Sequence, residues 1–367
     1  MKRLLSLILA TLVGANYSSA GIRITVPQKW KGKTLYIWQT DINQAMKRNA
    51  DEPVHQVRDT VEIKELTFDI PLKLDVATKV NVMTPKRNES DFDHTIGEAC
   101  ILPGEDVHMI LDENIVKNEG SLLNKQMAEI YTYYMRSMAC YHAARECGDN
   151  KKIARLANEY QQWYCDWIRN NPAAPGASYA LYQLSDPSLI VEYSALLQDY
   201  ALKSLFYPYA ENHISRAQCI LERRAVQRNW NEQEVKAPDF TLNNQHEEPI
   251  SLSDYIGKCV ILDFWGTWCA PCLNGMPELK EIYRAYNGKI EIVGIDCNDT
   301  KNAWQDAVAR LALPWVSLYQ PEGGEVSSAY HVTAFPTKVV ITPDGVIKKI
   351  YSGASPTFKS DLENWLK

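Results

Sequence analysis

The chain has 367 residues, 46% of them hydrophobic, which is enough to bury more than one core, so two or three domains are expected. Its formal net charge is −6 and its pI is near 5.7, with no basic cluster beyond the first residues, and this argues against binding to nucleic acid. The sequence contains no glycine-rich loop of the kind that cradles phosphate groups.

Residues 1–20 have the pattern of a secretory signal peptide. Lys2 and Arg3 supply positive charge, residues 4–15 form an apolar stretch too short to span a bilayer comfortably, and the small residues that end at Ala20 suit cleavage. We therefore predict removal of residues 1–20 and a periplasmic location. An uncleaved, N-terminally membrane-anchored chain is the alternative.

Residues 21–116 have the pattern of β-strands. Apolar residues alternate with other residues, which is the period of a strand with one buried face. The alternating sets are Ile22, Ile24 and Val26; Val61 and Ile63; Leu66, Phe68 and Ile70; Val80 and Val82; and Val107, Met109 and Leu111. We predict a small all-β sandwich or barrel domain here.

Residues 117–232 change to a helical period and are predicted to form an α-helical domain. The period is carried by Met127, Ile130, Tyr134, Met138 and Tyr141, and then by Ile153, Leu156, Tyr160, Trp163 and Trp167. Further helices are predicted over 176–184, 187–203 and 210–227. The aromatic residues of the first two helices are interpreted as the core of a helix bundle, with a partner-binding groove as the alternative.

Residues 236–367 follow a polar linker at 229–237 and are predicted to form an α/β domain. The predicted order of elements is strand, helix, strand, helix, strand, strand, helix. An apolar run that ends at Trp265 predicts a buried strand. Pro277 lies within the helical pattern that follows and suits a bent helix. Ser355 is predicted to cap the last helix.

Two cysteines three positions apart, Cys269 and Cys272, come just after the predicted strand. At a helix N-terminus, unpaired N–H groups and the helix dipole favour a thiolate, so Cys269 is the predicted nucleophile. Cys272 lies one turn further on and can close an internal disulfide. We expect this redox couple to be exposed where the helix starts. Ala270 and Pro271 between the cysteines include no histidine, which favours a reducing couple.

The cysteine count limits the alternatives. A pair at this spacing also forms half of a zinc site, but no second pair exists, so we predict no metal and no cofactor. The other cysteines are at 100, 140, 147, 165, 219, 259 and 297, an odd number that cannot all be bridged. Cys140 and Cys147 lie about 10 Å apart along a helix, beyond the ~7 Å limit for a disulfide. Cys297 is interpreted as a buried residue, with a third redox thiol as the alternative.

Residues 236–367 resemble the TlpA/ResA-like branch of the thioredoxin superfamily. The resemblance is carried by Ala237-Pro238-Asp239-Phe240-Thr241-Leu242, by the phrase at 250–258, by Trp268-Cys269-Ala270-Pro271-Cys272 and by Phe335-Pro336-Thr337. It implies a thioredoxin fold, a thiol-disulfide oxidoreductase activity and a redox-active disulfide between the two cysteines. It also implies that residues 21–116 are similar to the β-rich domains of unassigned activity that often precede such modules in Gram-negative envelope proteins.

The resemblance implies roles for further residues. Pro336 should be the cis-proline that faces the sulfurs, and Phe335 should pair with an incoming chain as an added strand. Asp263 occupies the position of the buried acid of thioredoxin and is the expected proton acceptor for Cys272, with a solvated strand-edge residue as the alternative. Residues 290–296 hold no counterpart of the lysine that accompanies this acid in many thioredoxins. Trp268 is expected to shield the sulfurs, or else only to pack.

These observations predict an exported thiol-disulfide oxidoreductase that reduces disulfides of envelope proteins and is re-reduced by a membrane electron donor. By resemblance, its clients include cytochrome c maturation components. One alternative is a client-binding or assembly protein whose redox pair is a regulatory switch, and another is a disulfide isomerase or oxidase. Peroxiredoxin-type peroxidases share the fold, but Asp263 and Gly266 do not supply their activating threonine and proline, although Thr267 stands nearby.

Overall fold

The computed structural model describes residues 19–42, 56–84, 94–112, 115–286, 288–321 and 323–366. The chain divides into two compact units, Met1–Ala217 and Gln218–Lys367. Most of the predicted signal peptide lies outside the described residues, so its cleavage stays a prediction. Ala20 is buried in the first strand, where it is paired with Leu72, so cleavage after it would remove the start of that strand.

The first unit begins with a β-sandwich. Its described strands are β1 (Ser19–Thr25), β2 (Thr34–Asp41), β3 (Gln56–Glu62), β4 (Thr67–Lys73), β5 (Thr78–Thr84), β6 (His94–Ile101), β7 (Asp106–Asp112) and β8 (Ile115–Glu119). They form two four-stranded sheets, in the orders β4-β1-β7-β8 and β3-β2-β5-β6. Alternate residues of a strand share a face, so Ile22 and Ile24 of one sheet meet Leu35 and Ile37 of the other in one core. The predicted all-β region is confirmed.

Helices complete the first unit. They are α1 (Leu122–Glu146), α2 (Asn150–Asn170), α3 (Gly176–Tyr182), α4 (Pro187–Ser194), α5 (Asp199–Leu202) and α6 (Tyr207–Glu232). Tyr133 stacks on Trp163 at 3.9 Å between ring centroids, and Tyr164 is fully buried beside them, so these aromatic residues form a helix-bundle core as interpreted. The single helix expected over 187–203 is instead two short ones, α4 and α5.

The second unit is a thioredoxin fold, as the resemblance implied. Its strands are β9 (Thr241–Asn243), β10 (Pro249–Ser251), β11 (Cys259–Trp265), β12 (Ile290–Asp296), β13 (Val316–Tyr319), β14 (Thr337–Ile341) and β15 (Ile347–Ser352). Its helices are α7 (Ala270–Ala285), α8 (Lys301–Leu311), α9 (Glu325–Ala329) and α10 (Phe358–Trp365). The main sheet has the order β13-β12-β11-β14-β15, with β11, β12 and β13 parallel and β14 and β15 antiparallel to their neighbours.

Some details of the second unit differ from the sequence-based expectation. β13 and α9 were not predicted, because a strand of four residues and a helix of five are too short to show a period. The last helix begins at Phe358, and Thr357 rather than Ser355 is its N-cap residue.

No helix in the described ranges combines the length and the apolar character needed to cross a membrane.

The end of α6 belongs to the second unit. The sequence pattern predicts a helical domain up to residue 232 and a linker at 229–237, and the compact units of the structure divide between Ala217 and Gln218. The helix continues to Glu232, and Trp230 packs against the apolar core that contains Tyr330. The polar composition of this segment predicted a linker, but one face of the helix is buried against the second unit.

Candidate active site

The two cysteines of the predicted couple are joined by a disulfide at the start of α7. The Cα atoms of Cys269 and Cys272 are 5.3 Å apart, a separation that allows the bond. Cys269 is the N-cap residue of the helix, and the backbone N–H of Cys272 donates to its Sγ at 3.2 Å. Pro271 lies in the first turn, where its missing N–H costs no helical hydrogen bond. The chain therefore directs a backbone donor at the first sulfur.

The disulfide is buried, which corrects the expectation of an exposed couple. Cys269 and Cys272 are each 3% exposed and belong to the apolar core that also contains Trp265 and Met276. Phe335 packs against that core and meets the ring of Trp268 edge-on, with 5.1 Å between centroids. Burial of a sulfur depends on such contacts from distant residues, which the local sequence does not reveal.

The loop opposite the disulfide contains the expected cis-proline. The peptide bond between Phe335 and Pro336 is cis, which confirms that prediction. The carbonyl oxygen of Pro336 accepts a hydrogen bond from the N–H of Gly353 at 2.7 Å, and Thr337 Oγ1 donates to the carbonyl oxygen of Ala334 at 2.7 Å. Pro336 and Pro271 line the same cleft, so the loop and the dipeptide between the cysteines face one space.

Trp268 is held by a hydrogen bond at its indole nitrogen, and about half of the residue is exposed. Nε1 donates to the carbonyl oxygen of Cys297 at 3.0 Å, while the residue as a whole is 52% exposed. A Cβ atom at Gly266 would lie 2.5 Å from this nitrogen, so only glycine allows the ring to lie here. An exposed aromatic surface is thereby held beside the disulfide.

Asp263 is a buried carboxylate with a lysine partner. It lies on the central strand β11 and is 2% exposed, so the alternative of a solvated strand-edge residue is wrong. Lys338 Nζ lies 2.9 Å from Asp263 Oδ1, an ion pair that lacks hydrogen-bond geometry. The two residues are direct neighbours across the antiparallel pair β11 and β14.

Residues 290–296 contain no lysine, and the lysine that pairs with Asp263 comes instead from β14, two positions after Pro336. A lysine within the apolar run 337–341 was the available signal, because such a residue needs a partner when it is buried. The Lys338 side chain is 16% exposed and lines a cleft of about 90 Å³ together with Pro271, Glu278 and Pro336. Asp263 is thus connected to solvent through Lys338.

Two neighbouring acidic residues, Asp296 and Asp299, were not predicted from the sequence. Asp299 accepts hydrogen bonds from the backbone N–H and the Oγ1 of Thr267, both at 2.6 Å, and so fixes the residue before Trp268. Asp296 is fully buried beside Asp299, and its carboxyl oxygens accept no hydrogen bond from the described parts of the chain. Burial, and then the neighbouring Asp299, raise the pKa of Asp296 to about 9. Asp296 therefore carries a proton at neutral pH.

The remaining seven cysteines are free thiols in the structure. An odd number of cysteines cannot all form disulfides, so at least one free thiol was expected. Cys297 is 1% exposed, burial raises the pKa of its thiol, and its Sγ accepts a hydrogen bond from Gln320 Nε2 at 3.4 Å. These features suit the interpretation of Cys297 as a buried residue. Cys140, Cys147 and Cys219 are exposed. The described residues contain no cluster of three or more side chains that could hold a metal ion.

Comparisons with known proteins match this part of the chain. Residues 234–350 match the AhpC/TSA family. The thiol-disulfide oxidoreductase ResA of Bacillus thuringiensis subsp. konkukian is 35% identical over 133 residues, which are 36% of this chain and 75% of that protein. ResA of Geobacillus kaustophilus is 35% identical over 132 residues, 36% of this chain and 74% of that protein.

Two solved structures of bacterial proteins are similar to part of this chain. The C-terminal domain of a putative thiol-disulfide oxidoreductase from Bacteroides thetaiotaomicron is 28% identical, with a TM-score of 0.34 over 37% of this chain and 97% of that one. A putative thiol:disulfide interchange protein DsbE from Chlorobium tepidum is 27% identical, with a TM-score of 0.34 over 36% of this chain and 93% of that one.

Proposed function

This chain belongs to the ResA-like thiol-disulfide oxidoreductases, and from that premise we propose that it is an exported reductase of disulfides in envelope proteins. Cys269 and Cys272 are its proposed redox couple. The observation that carries this proposal is the disulfide at the start of α7, where the N–H of Cys272 points at Cys269 Sγ. A reductase needs such a pair because one sulfur attacks and the other releases the product.

In the proposed cycle the reduced chain gives two electrons to a client. The Cys269 thiolate attacks one sulfur of the client disulfide, that bond breaks, and the departing client sulfur takes a proton. Cys272 then transfers its proton to Asp263 and attacks Cys269 Sγ. The second client sulfur leaves and is protonated, and the chain is left with the disulfide described above. The 3.2 Å hydrogen bond from Cys272 N–H favours Cys269 as the thiolate.

Asp263 and Lys338 provide the proposed proton path. Asp263 is buried, so it exchanges protons with solvent slowly unless another group connects it to water. Lys338 makes that connection, since it contacts Asp263 at 2.9 Å and also lines the cleft that contains Glu278.

Phe335 and Trp268 form the proposed client-binding surface. Backbone groups at Phe335 can pair with an extended client segment, and the exposed Trp268 ring can pack on its side chains. Because the disulfide is only slightly exposed, a client must displace part of this aromatic pair to reach Cys269. This restricts the reaction to chains that bind the surface first.

The location and the electron supply are further parts of the proposal. The pattern of residues 1–20 supports export to the periplasm, where a reductase needs electrons from a membrane donor because the compartment is oxidising. Clients of the cytochrome c maturation type are proposed by family resemblance alone.

The test is reduction of insulin disulfides by the full chain. We expect turnover well above that of a free dithiol, loss of turnover in Cys269→Ser, and a trapped mixed disulfide with clients in Cys272→Ser. Exposed Cys219→Ser is the matched control and should behave as wild type. A rate no better than free dithiol would overturn the proposal, and a potential near −120 mV rather than about −270 mV would favour an oxidase or isomerase.

A further inference from the structure

The last part of α6 contacts the segment that leads into the cis-proline. Residues 218–232 belong to the second unit but precede the segment matched to the AhpC/TSA family, which starts at 234. One face of this helical part is directed at the rest of the unit. The residues of that face are Arg223, Gln227, Trp230 and Asn231, whose spacing is that of one helix face.

Gln227 makes the central contacts of this face. Its Nε2 donates to the carbonyl oxygens of Tyr330 at 3.1 Å and His331 at 2.9 Å, and its Oε1 accepts from Ser352 Oγ at 2.8 Å. A glutamine amide has two N–H donors, and both are used here. The residue is 4% exposed, so these bonds are shielded from water.

The partners of Gln227 lie on both sides of the cis-proline loop. Tyr330 and His331 come shortly before Phe335 in the chain, and Ser352 precedes Gly353, whose N–H donates to the carbonyl oxygen of Pro336 at 2.7 Å. One side chain therefore ties the backbone that enters the loop to the strand end that holds Pro336.

The backbone that Gln227 holds needs external support. His331 has a φ of 52°, in the left-handed region that is uncommon for residues other than glycine. The Trp230 ring lies 5.1 Å from the His331 ring, and Arg223 Nη1 donates to the carbonyl oxygen of Val332 at 3.4 Å. Asn231 Oδ1 accepts from the N–H of Ile350 at 2.7 Å on the edge strand β15.

We propose that Gln227 is a positioning residue for client binding, because it fixes the backbone of residues 330–336 in the geometry in which Phe335 pairs with an incoming disulfide-bearing chain. The inference rests on the proposed function and deepens it. Gln227 has no hydrogen bond to Cys269, Cys272 or Asp263 among those of the described residues. Its loss should therefore weaken client binding and leave the sulfur chemistry unchanged.

The test compares full-chain variants in insulin reduction. Gln227→Glu keeps the acceptor for Ser352 but loses both donors and sets a carboxylate oxygen against two carbonyls. We expect KM to rise about tenfold with kcat within about twofold, which is the signature of lost binding. The redox potential of the couple and its reduction by dithiothreitol should match wild type.

Three further variants separate positioning from general damage. Gln227→Met, of similar size and without donors, should raise KM in the same direction and remains informative if Gln227→Glu fails to fold. Ser352→Ala removes one hydrogen bond to Gln227 and keeps both of its donors, so it should raise KM less than Gln227→Met does. Exposed Gln218→Glu, on the same helix, is the matched control.

An unchanged KM in Gln227→Met, or a shift of the redox potential together with KM, would overturn the inference. Failure of wild type to exceed a free dithiol would instead overturn the proposed function itself, so the two failures are distinguishable.

Discussion

The two compact units treat their buried carboxyl groups differently. In the first unit, Glu98 is 5% exposed, and both of its oxygens have partners, since Tyr179 donates to one and Lys79 Nζ lies 2.7 Å from the other. In the second unit, Asp263 has an ion pair without hydrogen-bond geometry, and Asp296 lies beside another acid, Asp299, and accepts no hydrogen bond within the described parts of the chain. Buried carboxylates with a full set of partners are typical of a structural role, whereas buried carboxylates that lack partners are typical of sites that transfer protons.

The largest expected effect is on stability, from removal of the partner of Glu98. Lys79→Met leaves a buried negative charge without its cation, and we expect the first unit to lose about 3–5 kcal/mol of unfolding free energy. Urea unfolding followed by tryptophan fluorescence and circular dichroism measures this loss. The control is Lys258→Met, which breaks the more exposed pair with Glu291 and should cost at most about 1 kcal/mol. Equal losses in the two variants would show that Glu98 is not held as described.

The next effect is on rate, from removal of the proposed proton acceptor. Asp263→Asn cannot take the proton of Cys272, and we expect resolution of the mixed disulfide to slow about 100-fold at pH 7. The deficit should narrow at alkaline pH, where hydroxide replaces the missing base. Stopped-flow measurement of single turnovers checks this.

The control for that variant is the double change Asp263→Asn with Lys338→Met, which leaves no unpaired lysine behind. A slow single variant and a fast double variant would show that the unpaired Lys338, and not the missing acceptor, causes the defect.

A change in the pH dependence of stability is expected from Asp296. The folded chain keeps the Asp296 proton up to a pKa of about 9, whereas the unfolded chain releases it above its ordinary value of 3.8. Stability from this group is therefore greatest at low pH and falls as pH rises toward 9. Asp296→Asn removes this loss.

The variant should gain stability over wild type at pH 8 and less so at pH 5, as measured by urea unfolding at both values. Exposed Asp306→Asn serves as its control. A gain that is equal at pH 5 and pH 8 would mean that Asp296 does not retain its proton in the folded chain.

Residues close together in the sequence were enough to predict the secondary structure of the sandwich and the position of the disulfide. Alternation of apolar residues predicted the β-sandwich, and the spacing of Cys269 and Cys272 predicted the disulfide. The cis bond at Pro336 was implied by the family resemblance. The lateral pairing of β11 with β14 was needed to place Lys338 beside Asp263, and no sequence period shows which strands pair. Burial of the disulfide and of Asp296 likewise depends on contacts between segments distant in sequence.

The continuity of α6 across the boundary at Ala217 has a consequence for how such proteins can be recombined. A fusion joined where the family match begins, at residue 234, would discard Gln227 and Asn231 and leave the carbonyls of Tyr330 and His331 without their donors. The segment that must be transferred to keep the redox domain intact is therefore longer than the segment that matches the family. A fusion that begins at Gln218 keeps residues 218–232 of α6, and with them the conformation of the loop that is proposed to bind the client.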